Sequence, residues 1–292
     1  MNAGILLMIA TTFVFAVQDG ISRHLASEYN VILTVMVRYW FFAAFVLVLA
    51  TRRPGGVAAV AQSRRPRLQI ARGLCLVTEI CVMVGAFVLL GLVESHAVFA
   101  CYPLLVAALS GPLLGEKVGW RRWLAIGMGF VGILIILRPG QGVFSPAALV
   151  PFISALLFAI YGLMTRFVAR DDDAMTSFFW TGIAGAVAIT FVGIWFWEPM
   201  ASRDWGWMAA LCITGAIGHW LLIKAYAVAE AGALQPFAYF QLVFASAIGV
   251  SVFGERLEAN VAFGAGLIVA AGLFTVWRER RLAATPPRPI VR

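Results

Sequence analysis

Runs of about 20 predominantly apolar residues recur along the chain, separated by glycine, proline and charged residues. Such a run crosses the hydrocarbon region of a bilayer as one helix, because only internally hydrogen-bonded backbone is tolerated there. The runs predict spans at 4–22, 31–50, 72–92, 97–114, 123–137, 147–167, 175–197, 207–229, 234–253 and 261–277. Apolar residues make up 62% and charged residues 12% of the chain, against about 25% charged in soluble domains. The predicted fold class is an all-α membrane protein of ten transmembrane helices. The chain opens Met-Asn-Ala-Gly and runs straight into apolar residues, so the first run is expected to be a retained span.

A formal net charge of +8 would suit a nucleic-acid partner only if it lay on one soluble face. It lies in short loops and a tail, so no nucleic-acid partner is expected and the bilayer is the surface to consider. With the N-terminus in the cytoplasm, sixteen basic residues fall inside, among them Arg52, Arg53, Arg64, Arg65, Arg67, Arg72, Lys117, Arg166 and the C-terminal arginines. Only Arg23, Arg138, Arg203 and Arg256 fall outside, and Arg38 and Lys224 lie within spans. The imbalance predicts both termini cytoplasmic, in the cell inner membrane. Cys75, Cys81, Cys101 and Cys212 all lie in apolar runs without ligand-like spacing and read as packing thiols.

The two halves repeat weakly. Phe15 to Arg23 matches Phe158 to Arg166 without a gap, Gly115-Glu116-Lys117 recurs as Gly254-Glu255-Arg256, and Glu94 and Glu230 occupy corresponding turns. Five spans is an odd number, so the second copy must enter the membrane from the opposite side. Inverted repeats are a frequent plan of secondary transporters, with the substrate site near the midplane where the halves meet. The expected division is a first five-helix repeat over 1–138, an inverted second over 145–278 and a basic cytoplasmic tail over 279–292.

Two blocks, Tyr102-Pro103-Leu104 through Gly115-Glu116-Lys117 to Gly127-x-Gly129, and Phe240-Gln241-Leu242 through Gly254-Glu255-Arg256 to Gly264-x-Gly266, resemble the ten-span EamA branch of the drug/metabolite transporter superfamily. The resemblance covers roughly residues 4–277. The second block departs from the first by carrying Leu242 where Pro103 stands, with Pro236 earlier. The resemblance implies an alternating-access carrier, commonly an exporter of amino acids or other small metabolites. Its cavity would be lined mainly by the third and fourth spans of each half. Nucleotide-sugar and multidrug carriers look similar at this level.

Ionisable and polar groups in a span are costly and point to a pathway unless they reach an interface. Gln18 and Asp19 stand late in span one, where Asp19 either pairs with Arg23 four residues on or faces the cavity to accept an ammonium group or a proton. Arg38, about eight residues into span two, would meet a substrate carboxylate or pair with Asp19. Glu79 stands towards the middle of span three, in a proton-linked role or simply lining the seam. His219, Trp220 and Lys224 form a polar stripe on span eight, suggesting Glu79–Lys224 or Glu79–His219 contact across the pseudo-twofold; Lys224 could equally reach headgroups. Tyr102 and Pro103, then Tyr239, Phe240 and Gln241, come from the fourth and ninth spans, where a proline would free a carbonyl and aromatics would face apolar cargo. Tyr161 and Trp180 are weaker aromatic candidates. The glycines at 127, 129, 132, 264, 266 and 272 read as helix-packing sites.

The spans carry no His-Glu-x-x-His, Gly-x-Ser-x-Gly, Walker loop or aspartate pair, so no catalytic residue, metal site or cofactor is expected. A channel would ask for a repeated filter or a charged ring. A secondary transporter of small metabolites, with amino-acid export as the leading cargo, is the expectation, and a monomer the expected unit.

Overall fold

The computed structural model describes residues 3–114, 120–137, 147, 149–228, 234 and 237–283. Among the described residues there is no strand; the chain is a succession of helices. They are α1 (Ala3–Glu28), α2 (Val31–Thr51), the short α3 (Gly56–Ala61), α4 (Pro66–Phe99), α5 (Tyr102–Leu114), α6 (Trp120–Leu137), α7 (Leu149–Val168), α8 (Ala174–Gly193), α9 (Trp205–Val228), α10 (Phe240–Phe253) and α11 (Ala259–Ala283). Local chemistry sets several ends. Asn30 caps α2 by accepting the Leu33 N–H at 2.7 Å, and Asp173 caps α8 by accepting the Thr176 N–H at 2.6 Å. Pro66 occupies the first turn of α4, where no intrahelical N–H is needed.

Six of these helices, α1, α2, α4, α7, α8 and α9, are long and apolar enough to cross a membrane, and shorter apolar helices cover Trp123–Ile136, Phe240–Phe253 and Ala259–Phe274. The outside of the bundle is oily: Phe191 is 77% exposed and Trp195 85%. Water would not tolerate such a surface, and lipid does. The chain is a multi-pass membrane protein.

Helices of the first half pack on helices of the second. α1 lies against α9 and α10, α2 against α8 and α9, α4 against α7 and α8, and α6 against α11. The last pair meets backbone to backbone. A Cβ on Gly132 would stand 2.7 Å from the Gly264 carbonyl oxygen, and one on Gly264 2.6 Å from that of Gly132. Gly129 and Gly272 likewise receive Leu104 and Tyr239, whereas Gly127 and Gly266 face open space and do not pack.

The structure departs from the sequence reading in the third span. α4 starts at Pro66 rather than near 72, so Arg72 is not a loop charge but a fully buried helix residue. The turn expected around Glu94 sits instead at Gly91, whose φ of 81° breaks α4, and a second short connection follows Phe99. α1 runs to Glu28, which moves Gln18, Asp19 and Arg23 away from its end. The motif Gly115-Glu116-Lys117, together with Arg138, Glu230 and Pro236, lies outside the described residues.

Candidate functional site

Where α1, α2 and α4 meet α7, α9 and α10, polar side chains converge on one cavity. It is lined by Gln18, Asp19, Arg38, Glu79, His96, His219 and Gln241, and walled by Phe15, Ile80, Met83, Val84, Phe87, Phe99 and Phe158. About 50 Å³ is left between them, room for a few waters and too little for a metabolite. The side chains are therefore closed on one another.

The polar groups form a chain. Arg38 on α2 donates to Gln18 Oε1 at 3.1 Å, and Gln18 Nε2 donates to Asp19 Oδ1 at 3.3 Å. Asp19 Oδ2 accepts from Gln241 Nε2 at 3.2 Å and lies 3.2 Å from His96 Nε2. At the other end of the chain, His219 Nε2 stands 3.4 Å from the Arg38 guanidinium. Glu79 accepts a hydrogen bond from Ser154 on α7 at 2.7 Å. Gly215 makes room for the arginine, since a Cβ there would stand 2.9 Å from Arg38 Nε. One guanidinium and two carboxylates thus share a buried volume with two imidazoles, against a wall of phenyl rings. Such a lining can hold charges of both signs and a planar apolar group together.

Of the residues predicted from sequence, Gln18, Asp19, Arg38, Glu79, His219 and Gln241 come together here. Asp19 does not pair with Arg23, which bonds Glu255 instead. Arg38 reaches Asp19 only through the Gln18 amide. Glu79 meets Ser154, not Lys224. Lys224 is exposed, with its ammonium 4.8 Å over the Trp220 ring, for a simple reason: five residues on a helix turn about 140°, so 224 cannot share the face of 219. Trp220 packs on Phe178 at 5.5 Å. Tyr102 packs on Phe99 and Phe158 at 5.2 and 5.0 Å rather than lining the cavity. Pro103 lies in the first turn of α5, where it frees no mid-helix carbonyl. Tyr239 is buried against Gly272. Tyr161 bonds Arg72, and Trp180 donates to the Ala61 carbonyl.

His96 was missed. The only signal for it was its place among apolar residues, a few positions past a glycine. Ser154 gave none.

Two polar clasps flank the cavity, one at each end of the bundle. At the arginine-rich end, Asp172 accepts from Ser63 Oγ, from the Arg64 N–H at 2.9 Å and from Gln69 Nε2 at 2.8 Å, and Arg65 pairs with Asp171 at 2.5 Å. Burial works against the Asp172 charge, but these hydrogen bonds, with Arg64 beside it, hold its carboxyl below the usual range. Below them Arg72 donates to Gln69, Tyr161, Thr165 and the Ser177 carbonyl. At the opposite end, Tyr29 donates to Asp204 at 2.6 Å and Asn30 to Glu198 at 2.7 Å. The bond to Asp204 pushes the Tyr29 phenol up. Among the described residues no three His, Cys, Asp or Glu side chains come together as a metal-binding group.

The model of the EamA-like transporter family matches residues 2–138 and again 145–277. The chain belongs to the EamA-like transporter family, within the drug/metabolite transporter superfamily. It is 23% identical over 278 residues to an S-adenosylmethionine uptake transporter of Rickettsia prowazekii, covering 95% of this chain and 94% of that one. It is 26% identical over 289 residues to a riboflavin transporter of Vibrio cholerae, covering 96% and 97%. With the pseudopaline exporter CntI of Pseudomonas aeruginosa it shares 25% identity over 275 residues, covering 93% and 95%. It is a transporter of small metabolites.

Proposed function

We propose that this EamA-like chain is an alternating-access secondary transporter of the cell inner membrane. It has ten spans in two inverted five-helix repeats and both termini in the cytoplasm. The arginine imbalance supports the orientation even after Arg72 is removed from the loop count, and the two separate family matches support the repeats. Its cargo is a small metabolite that carries a planar ring and a charged or zwitterionic tail, taken up in the cavity between the halves. The observation that carries this reading is the Arg38–Gln18–Asp19 chain set against Phe15, Phe87, Phe99 and Phe158. Arg38 is placed for a carboxylate, Asp19 and Glu79 for a cationic group, and the phenyl wall for the ring.

Free amino acids match the charged part of this lining and leave the aromatic wall unused. The relatives are named for S-adenosylmethionine, riboflavin and pseudopaline, and the first two of these cargoes join a planar ring to a polar tail. Uptake and export both occur among those names, and a carrier runs with whichever gradient drives it. In proteoliposomes, radiolabelled S-adenosylmethionine, riboflavin and neutral amino acids form the first panel. Saturable flux of a ring-bearing cargo above empty liposomes, reduced by Arg38→Ala, is expected. Flux of amino acids alone would replace the ring-bearing cargo with amino acids, and no flux across the panel would overturn the cargo assignment.

A further inference from the structure

The Gly-Glu pair that closes α10 reaches across the bundle to the other half. Gly254 ends α10 with φ 65°, and the Glu255 N–H turns back to the Gly249 carbonyl at 3.0 Å. The Glu255 carboxylate then meets the break in α4. Gly91, at φ 81°, frees the N–H groups of Leu92 and Val93 from helical partners, and these donate to the two carboxylate oxygens at 2.8 and 2.7 Å. Arg23 of α1 pairs with the same carboxylate, its guanidinium 4.2 Å over the Phe253 ring. The seat is cut to size. A Cβ on Gly91 would stand 2.6 Å from one carboxylate oxygen, and one on Gly249 2.8 Å from the other.

This arrangement roofs the cavity. Asp19 lies one turn before Arg23 on α1, and His96 follows Val93 by a turn on the tail of α4; both line the space below. Three elements, α1, α4 and α10, are fastened at a single carboxylate, and any opening at this end must part them. Charge-assisted bonds at a polar boundary are exchanged for water at modest net cost, so such a fastening can be remade in every cycle.

We propose that Glu255, seated on Leu92 and Val93 and paired with Arg23, is the outer gate of the carrier, and that its release admits cargo from outside. This rests on the orientation proposed above, with α10 ending at the outer face. The inference makes Glu255 and Arg23 positioning residues, since neither lines the cavity.

The test uses the full chain with its four cysteines replaced by serine and one reporter, S95C, at the fully buried position next to the cavity residue His96. An impermeant maleimide is applied to right-side-out and to inside-out vesicles. E255Q removes the charge and turns an amide donor towards a donor N–H, while G249A pushes the carboxylate out with one methyl group. Both are expected to raise outside labelling of S95C by about tenfold, as a shift between two states predicts. If E255Q fails to accumulate in the membrane, G249A carries the test. Unchanged labelling in inserted protein, with only a lowered melting temperature, would make the contact structural and overturn the gate. Labelling that rises from the cytoplasmic side alone would overturn its outer placement. Raised outside labelling with no flux of any panel cargo would uphold the gate and fail only the cargo assignment.

Discussion

Arg38 and Asp19 are joined by an amide and not by a salt bridge: the guanidinium donates to Gln18 Oε1 at 3.1 Å, and the amide nitrogen passes the connection on to the carboxylate. A direct pair would neutralise both charges and leave nothing for a cargo to displace. The spacer satisfies each charge weakly and keeps them apart, which suits a site that must let its own partners go when a zwitterion arrives.

Replacing Gln18 by Ala should let Arg38 close directly on Asp19. The bundle keeps its stability, because the new ion pair offsets the lost amide bonds, while the cargo must now break a stronger contact. The half-saturation concentration for whichever panel cargo is carried is expected to rise about tenfold, equivalent to about 1.4 kcal/mol. Flux kinetics in proteoliposomes beside a thermal melt in detergent separate the two effects; a lowered melting temperature with unchanged half-saturation would refute the spacer role.

The contact between Gly132 and Gly264 leaves no room for a side chain. Gly132→Leu should force α6 from α11 and destabilise the protein by about 1–3 kcal/mol, the usual cost of overpacking. Gly127→Leu, at a position facing open space, should change little. Thermal melts of the two variants in the same detergent give the comparison, and equal losses would mean that the two helices do not meet at Gly132.

Asp172 carries a depressed carboxyl pKa, so the sign of its linkage is fixed. The folded state holds the carboxylate more tightly than the unfolded chain does, which contributes stability above the unfolded value of about 4 and loses it as pH falls through the lower folded one. The wild-type melting temperature should therefore exceed that of Asp172→Asn at pH 7 and approach it in acid below about pH 4. A gap between the two that stays constant with pH would show that the carboxylate charge contributes nothing.

Much of the bundle was legible in the sequence because apolar runs and their breakers report directly on what lipid requires. Six of the cavity's polar residues were legible for the same reason, since a charge or amide inside such a run stands out. The break at Gly91 was not, because one glycine in an apolar helix looks the same whether the backbone bends there or packs. Nor was the depth of Arg72: a basic residue beside an arginine-rich loop reads as loop until the partners that bury it, Tyr161, Thr165 and Ser177, are seen in helices 89 to 105 residues away. Lys224 failed differently. Its spacing of four from Trp220, with His219 next to that tryptophan, suggested one polar stripe, and helical geometry sends His219 and Lys224 to different faces.

Arg72 and Glu79 also bear on how the protein is made. Both sit in α4, yet the groups that satisfy them from other helices, Tyr161, Thr165, Ser177 and Ser154, belong to α7 and α8. When α4 leaves the ribosome those helices do not yet exist, and a lone span with a buried guanidinium and a carboxyl is expensive to hold in lipid. The third span is therefore expected to gain its full stability in the membrane only once the second half has been synthesised and packs against it.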